Sequence, residues 1–172
     1  MSGLIHIYCG EGKGKTTAAV GLTIRAAGAG KNVLFSQFMK SGKSSELKIL
    51  RSTESISVVS CQTVSGFYKK MTPEQRAQVS KDYSAMLDDV LAQAAQFDLL
   101  VLDEVVSACN HGVVEEAVLC RFLQEKPEHL EVVLTGRNPS EQLLEFANYV
   151  TEMKKQKHPY DEGISARLGI EF

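Results

Sequence analysis

Apolar residues along this chain follow two rhythms. Short runs rich in β-branched and large aliphatic side chains recur at Leu4-Ile5-His6-Ile7-Tyr8, Val33-Leu34-Phe35 with Phe38, Ile56-Ser57-Val58-Val59, Leu99-Leu100-Val101-Leu102, Leu130-Glu131-Val132-Val133-Leu134 and Tyr149 to Met153. Each has the length and composition of a strand. Between them the spacing becomes helical. Thr16 to Ala29 places Ala18, Ala19, Leu22, Ala26 and Ala27 on one face, and Gly28 and Gly30 end it. Glu46 to Arg51 predicts a short helix. Thr72-Pro73-Glu74-Gln75 combines an N-cap, a proline at the first helical position and a capping-box glutamine, which predicts a helix running to about Gln96. Val113 to Glu125 predicts another, and Asn138-Pro139-Ser140 starts a further one. The polar stretch from Lys40 to Ser45 has the composition of a mobile surface segment, and Cys61 to Met71 reads as a loop.

Strands that alternate with helices build βαβ units, so the expected fold is α/β: a mainly parallel sheet flanked by helices, with right-handed crossovers and the site at the strands' carboxyl ends. At 172 residues and 44% hydrophobic content, the chain suits one domain over 1–172, able to bury roughly 70% of its unfolded surface. There is no internal repeat. The net charge of −2 and the lack of a basic stripe argue against nucleic-acid binding, with Lys154, Lys155 and Lys157 read as a solvated end. Cys9, Cys61, Cys109 and Cys120, with His6, His111, His129 and His158, show no zinc or disulfide spacing, and Cys109-Asn110-His111 reads as loop. No apolar run approaches the ~20 residues of a membrane span, and the first strand begins without a targeting pattern, so the expectation is a soluble cytoplasmic protein.

The chemistry concentrates after the first strand, in Cys9-Gly10-Glu11-Gly12-Lys13-Gly14-Lys15-Thr16-Thr17. Gly10, Gly12 and Gly14 let the backbone take positive φ and turn its N–H groups inward, where a Cβ would strike a phosphate. Thr16 and Thr17 open a helix whose dipole favours an anion; Lys15 adds a point charge for the phosphates, and the Thr16 hydroxyl is placed for Mg²⁺. This is a P-loop, with Cys9 standing where its first glycine usually is. Asp103 and Glu104 end a buried apolar run, as the acids of a nucleotide site do, and with Thr16 they form a candidate Mg²⁺ shell. Arg25, on the helix after the loop, and Arg137, in Thr135-Gly136-Arg137, are candidates for phosphate contact.

Gly10 through Ala19, Gln37-Phe38-Met39-Lys40, Leu102-Asp103-Glu104, Val133 through Arg137, Val150-Thr151-Glu152-Met153, and above all Lys157-His158 through Gly163 to Ala166-Arg167-Leu168-Gly169-Ile170-Glu171 resemble the corrinoid adenosyltransferases of the ATP:cob(I)alamin type. The resemblance covers nearly the whole chain. It implies a RecA-like fold, usually dimeric, that transfers the 5′-deoxyadenosyl group of ATP to Co(I) of a corrinoid such as cobalamin and releases tripolyphosphate. A reductase of the flavin type would supply the Co(I). The implied roles put Gly10 to Thr17 and Arg25 on the triphosphate, Arg137 near phosphate, Asp103 and Glu104 on magnesium, and Phe67 against the corrin. Familiar members carry Phe-x-Trp in that last loop, whereas this chain has Phe67-Tyr68-Lys69 and no tryptophan. The competing readings are a P-loop ATPase or kinase of unknown substrate and a nucleotide-gated corrinoid carrier.

Overall fold

A computed structural model describes residues 2–61, 68 and 71–172. Six strands, β1 (Ile5–Cys9), β2 (Val33–Gln37), β3 (Ile56–Ser60), β4 (Leu99–Asp103), β5 (Glu131–Thr135) and β6 (Tyr149–Glu152), form one sheet in the order β3-β2-β4-β5-β1-β6. Every pairing is parallel. The helices are α1 (Lys15–Gly28), α2 (Glu46–Arg51), α3 (Pro73–Gln93), α4 (Val105–Asn110), α5 (Glu116–Glu125) and α6 (Glu141–Phe146).

Strand residues alternate faces, and both faces are covered, which is why the central strands read as unbroken apolar runs. On one side Leu99, Val101, Phe35 and Val133 pack with Ala19 and Ala26 of α1 and Leu47 and Leu50 of α2. On the other, Leu100, Leu102, Ile5, Ile7, Val132 and Leu134 meet α3, α4, α5 and α6 through Tyr83, Leu87, Val105, Leu119 and Leu143. The small residues of α1 let it lie close beneath the sheet.

The predicted capping box is present. The Gln75 N–H donates to the Thr72 hydroxyl, and the Thr72 N–H donates to the Gln75 side chain. The long helix stops at Gln93, and a single 3₁₀ turn, Ala94–Gln96, completes it. Two boundaries differ from the sequence expectation. The helix expected from Val113 begins at Glu116, since Val113 and Val114 are buried in the core ahead of it. Cys109-Asn110-His111, read as loop, instead closes α4: Cys109 and Asn110 are its last residues and His111 its cap. Six residues are too few for the pattern of α4 to stand out, and the residue before it, the left-handed Glu104, is held from across the sheet by the Thr135 hydroxyl.

Among the described residues, no helix is long and apolar enough to cross a membrane.

Candidate functional site

The loop between β1 and α1 is shaped by two kinds of glycine. Gly10 and Gly14 have φ of +100° and +123°, the left-handed region the sequence anticipated. Gly12 does not share it. A Cβ at Gly12 would lie 2.5 Å from the Met153 carbonyl oxygen, which accepts the Gly12 N–H at 2.6 Å. Gly12 is therefore required by the chain leaving β6, which lies against the loop, and not by a positive φ. Cys9, in the place of the usual first glycine, is the last residue of β1. Its side chain is buried in the core, where burial and then the charge of Glu152 raise its thiol pKa.

Lys15, the first residue of α1, folds back over the loop and donates to the carbonyls of Gly10 at 2.7 Å and Gly12 at 2.9 Å. Burial lowers the pKa of its ammonium; Glu104 and Glu11 oppose that shift, while Arg137 adds to it. An anion beside this ammonium would relieve the cost of burying it.

Asp103, fully buried at the end of β4, is the hub. Its Oδ1 accepts from Thr16 at 2.9 Å and Thr135 at 2.8 Å, and its Oδ2 accepts from Gln37 at 3.1 Å and Lys40 at 3.0 Å. The carboxyl ends of β2, β4 and β5 and the start of α1 thus converge on one carboxylate. Glu104, next in the chain, sits at φ +61°. Its N–H donates to Thr135, and its carboxylate accepts from Ser107 at 2.6 Å, so its side chain turns into the first turn of α4 while still facing the cavity. The oxygen set of Thr16, Asp103 and Glu104 suits a hard divalent cation that completes its shell with phosphate and water. Among the described residues no cluster of three His, Cys, Asp or Glu could hold a metal by itself.

A cavity of about 800 Å³ opens beside the loop. That is within the ~300–1,000 Å³ usual for small-molecule sites. Its walls are the loop and first turn of α1, then Lys40, Glu46, Glu104 and Arg137, and the last residues of the chain. Arg137 reaches across the mouth to Glu11, at 3.0 Å. The terminal segment docks on the loop: Lys13 donates to the Ile170 carbonyl at 2.8 Å, and Ser45 donates to that of Phe172 at 3.0 Å.

The structure therefore brings Gly10 to Thr17, Asp103, Glu104 and Arg137 together. It does not bring Arg25, which lies exposed in the last turn of α1, roughly 15 Å along the helix axis from Lys15 at ~1.5 Å per residue. Phe67 lies outside the described residues. Tyr68 beside it packs edge-on to His111, at 5.8 Å between centroids, with the Arg76 guanidinium over its ring. Sequence reasoning gave no role to Gln37, Lys40 or Thr135. The signal available was their position at or just past the carboxyl ends of strands, where such sheets carry their sites: Gln37 ends β2, Lys40 follows it, and Thr135 ends β5 beside the loop's own strand.

A family model described as ATP:corrinoid adenosyltransferase BtuR/CobO/CobP matches residues 1–172. A corrinoid adenosyltransferase of Sinorhizobium sp. is 33% identical over 99% of this chain and 80% of its own length. The corrinoid adenosyltransferase CobA of Salmonella typhimurium is 31% identical over 99% of this chain and 86% of its own. Among solved structures, EssC (ATPases 2 and 3) from Geobacillus thermodenitrificans matches with a TM-score of 0.57 at 12% identity, over 97% of this chain and 35% of that one. That likeness bears on the fold alone: it is that of a P-loop ATPase domain.

Proposed function

The chain belongs to the ATP:corrinoid adenosyltransferase family, enzymes that adenosylate corrinoids with ATP, and from that premise we propose how its residues divide the work. The lone pair of Co(I) in the corrinoid substrate forms the bond to C5′ of ATP. The bond from C5′ to oxygen breaks, and its electrons leave with tripolyphosphate. No proton has to be taken from the nucleophile, so the protein's task is electrostatic: to hold the triphosphate in line and stabilise the charge it carries away.

Lys15 and the N–H groups of the Gly10 to Thr17 loop lie along the phosphate chain, and Arg137 covers its outer side. Thr16, Asp103 and Glu104 would hold Mg²⁺, which would supply positive charge beside the departing triphosphate. Phe67 is assigned the contact with the corrin. The single observation that carries this reading is the docking of the C-terminal segment, the stretch most particular to the family, onto Lys13 and Ser45 as a wall of the phosphate cavity. The finer setting is also proposed: a cytoplasmic homodimer served by a flavin-type reductase. Free thiols at Cys9, Cys109 and Cys120 support a reducing compartment, and exposed Tyr149 and Val150 on the edge strand β6 support a partner surface.

The test is product analysis with ATP, Mg²⁺ and chemically reduced corrinoid. Adenosylated corrinoid and tripolyphosphate should form together, with ATP consumed only when the reduced corrinoid is present. ADP and orthophosphate released at a similar rate without corrinoid would instead identify an ordinary ATPase.

A further inference from the structure

Lys40 occupies an unusual place for a surface lysine. Its ammonium lies 3.0 Å from Asp103 Oδ2 and 3.1 Å from the Thr16 hydroxyl, so it touches two of the three residues assigned to the divalent cation. Its side chain is 29% exposed and lines the cavity, whereas Asp103 is fully buried. The backbone that delivers it is held in three ways. Met39 before it takes a left-handed φ of +54°. Phe38, fully buried, donates its N–H to the Asp103 carbonyl at 2.8 Å. The hydroxyl of buried Tyr83 donates to the Lys40 carbonyl at 3.1 Å, with the Tyr83 ring against Phe38. A strained residue and a buried tyrosine fix one lysine over the metal-holding oxygens, which is more than an exposed loop lysine requires.

An ammonium and a divalent cation cannot both sit against the same carboxylate oxygen and hydroxyl, since each repels the other. Whatever metal reaches Thr16 and Asp103 must move Lys40 aside. The tethered ammonium then has one strongly favourable destination within the same cavity, the phosphate chain that arrives with the metal. We propose that Lys40 is a resident counter-ion which the divalent cation displaces and the triphosphate receives. The site consequently takes metal and polyphosphate together and binds bare metal poorly. This rests on the assignment of Thr16 and Asp103 to the metal made above.

The experiment uses Mn²⁺ as the metal probe, followed by electron paramagnetic resonance on the full chain, with and without tripolyphosphate. Wild-type protein should bind Mn²⁺ weakly alone and far more tightly with tripolyphosphate. Lys40→Met should bind Mn²⁺ alone about tenfold or more tightly than wild type, and bind Mn²⁺ with tripolyphosphate less tightly than wild type. Lys40→Arg, which keeps the charge, should match wild type in both. Unchanged or weaker metal-only binding in a folded Lys40→Met protein would show an ordinary structural ion pair and overturn the inference, while leaving the cradle assignment intact. Wild-type protein that fails to bind Mn²⁺ even with tripolyphosphate would overturn both. Should Lys40→Met not fold, lysine-labelled NMR of the wild type decides: the Lys40 ammonium signal, identified by its loss in Lys40→Arg, should shift with Mg²⁺ and tripolyphosphate together and stay in place with Mg²⁺ alone. A signal indifferent to both additions would refute the displacement.

Discussion

Gly12 shows how one residue answers to two constraints. The motif made the glycines of the loop legible in the sequence as seats for phosphate. Yet a Cβ at Gly12 would press on the Met153 backbone, more than a hundred positions away, which no local pattern could reveal. Gly12→Ala should therefore cost about 1–3 kcal/mol of stability even without nucleotide, because backbone, unlike the end of a flexible side chain, cannot step aside. Chemical denaturation checks this; an unchanged midpoint would mean that the chain after β6 yields. Lys15→Ala should act in the opposite way. Losing an ammonium that is disfavoured by burial costs the fold little, but activity should fall by roughly a hundredfold or more, as when a single transition-state donor is removed. A Lys15→Ala protein with native thermal unfolding and wild-type turnover would remove the lysine from the mechanism. Phe67→Ala isolates the proposed contact with the corrin: ATP affinity should hold, and activity should fall more when Co(II) must be reduced on the enzyme than when Co(I) is supplied. Equal losses in the two assays would assign the ring to holding its loop.

At the scale of elements, what the sequence made legible was periodicity and what it concealed was docking. All six strands and the capping box of α3 follow from local pattern and were anticipated to within a residue or two. The short α4 and the attachment of the C-terminal segment depend on contacts across the fold. That segment is also where acid should act. Arg167 pairs with Glu171 at 3.0 Å and, with the Arg167 N–H, holds the Glu171 carboxyl down to about 2 from its ordinary 4.5. A carboxylate with a depressed pKa stabilises its folded arrangement fully above the ordinary value, and that contribution is lost as pH falls from about 4.5 toward 2. The pair is at the surface, so salt should weaken it. Carbon-detected titration of Glu171 should show the low pKa in the wild type and its return toward 4.5 in Arg167→Ala. If the two proteins titrate alike, the pair does not hold the segment.

At the scale of the whole molecule, the site is the place where otherwise separate parts of the chain are tied. Asp103 joins α1, β2, β4 and β5 through four hydrogen bonds, Gly12 joins the loop to the end of β6, and Lys13 and Ser45 join loop and α2 region to the last residues. A ligand that neutralises Lys15 and fills this junction should therefore stabilise the molecule as one unit, without merely ordering a loop. At a concentration one hundred times its dissociation constant, a ligand that binds only the folded state adds about 2.7 kcal/mol. For a chain of this size, each kcal/mol raises the melting temperature by roughly 2–4 °C, so Mg²⁺ with tripolyphosphate should raise it by about 5–10 °C. Hydrogen exchange should slow in step at the start of α1, at the end of β4 and across the C-terminal segment. Protection limited to the loop, with the segment exchanging as before, would show that the C-terminal wall is a bystander to phosphate binding, and would remove the observation on which the proposed function chiefly stands.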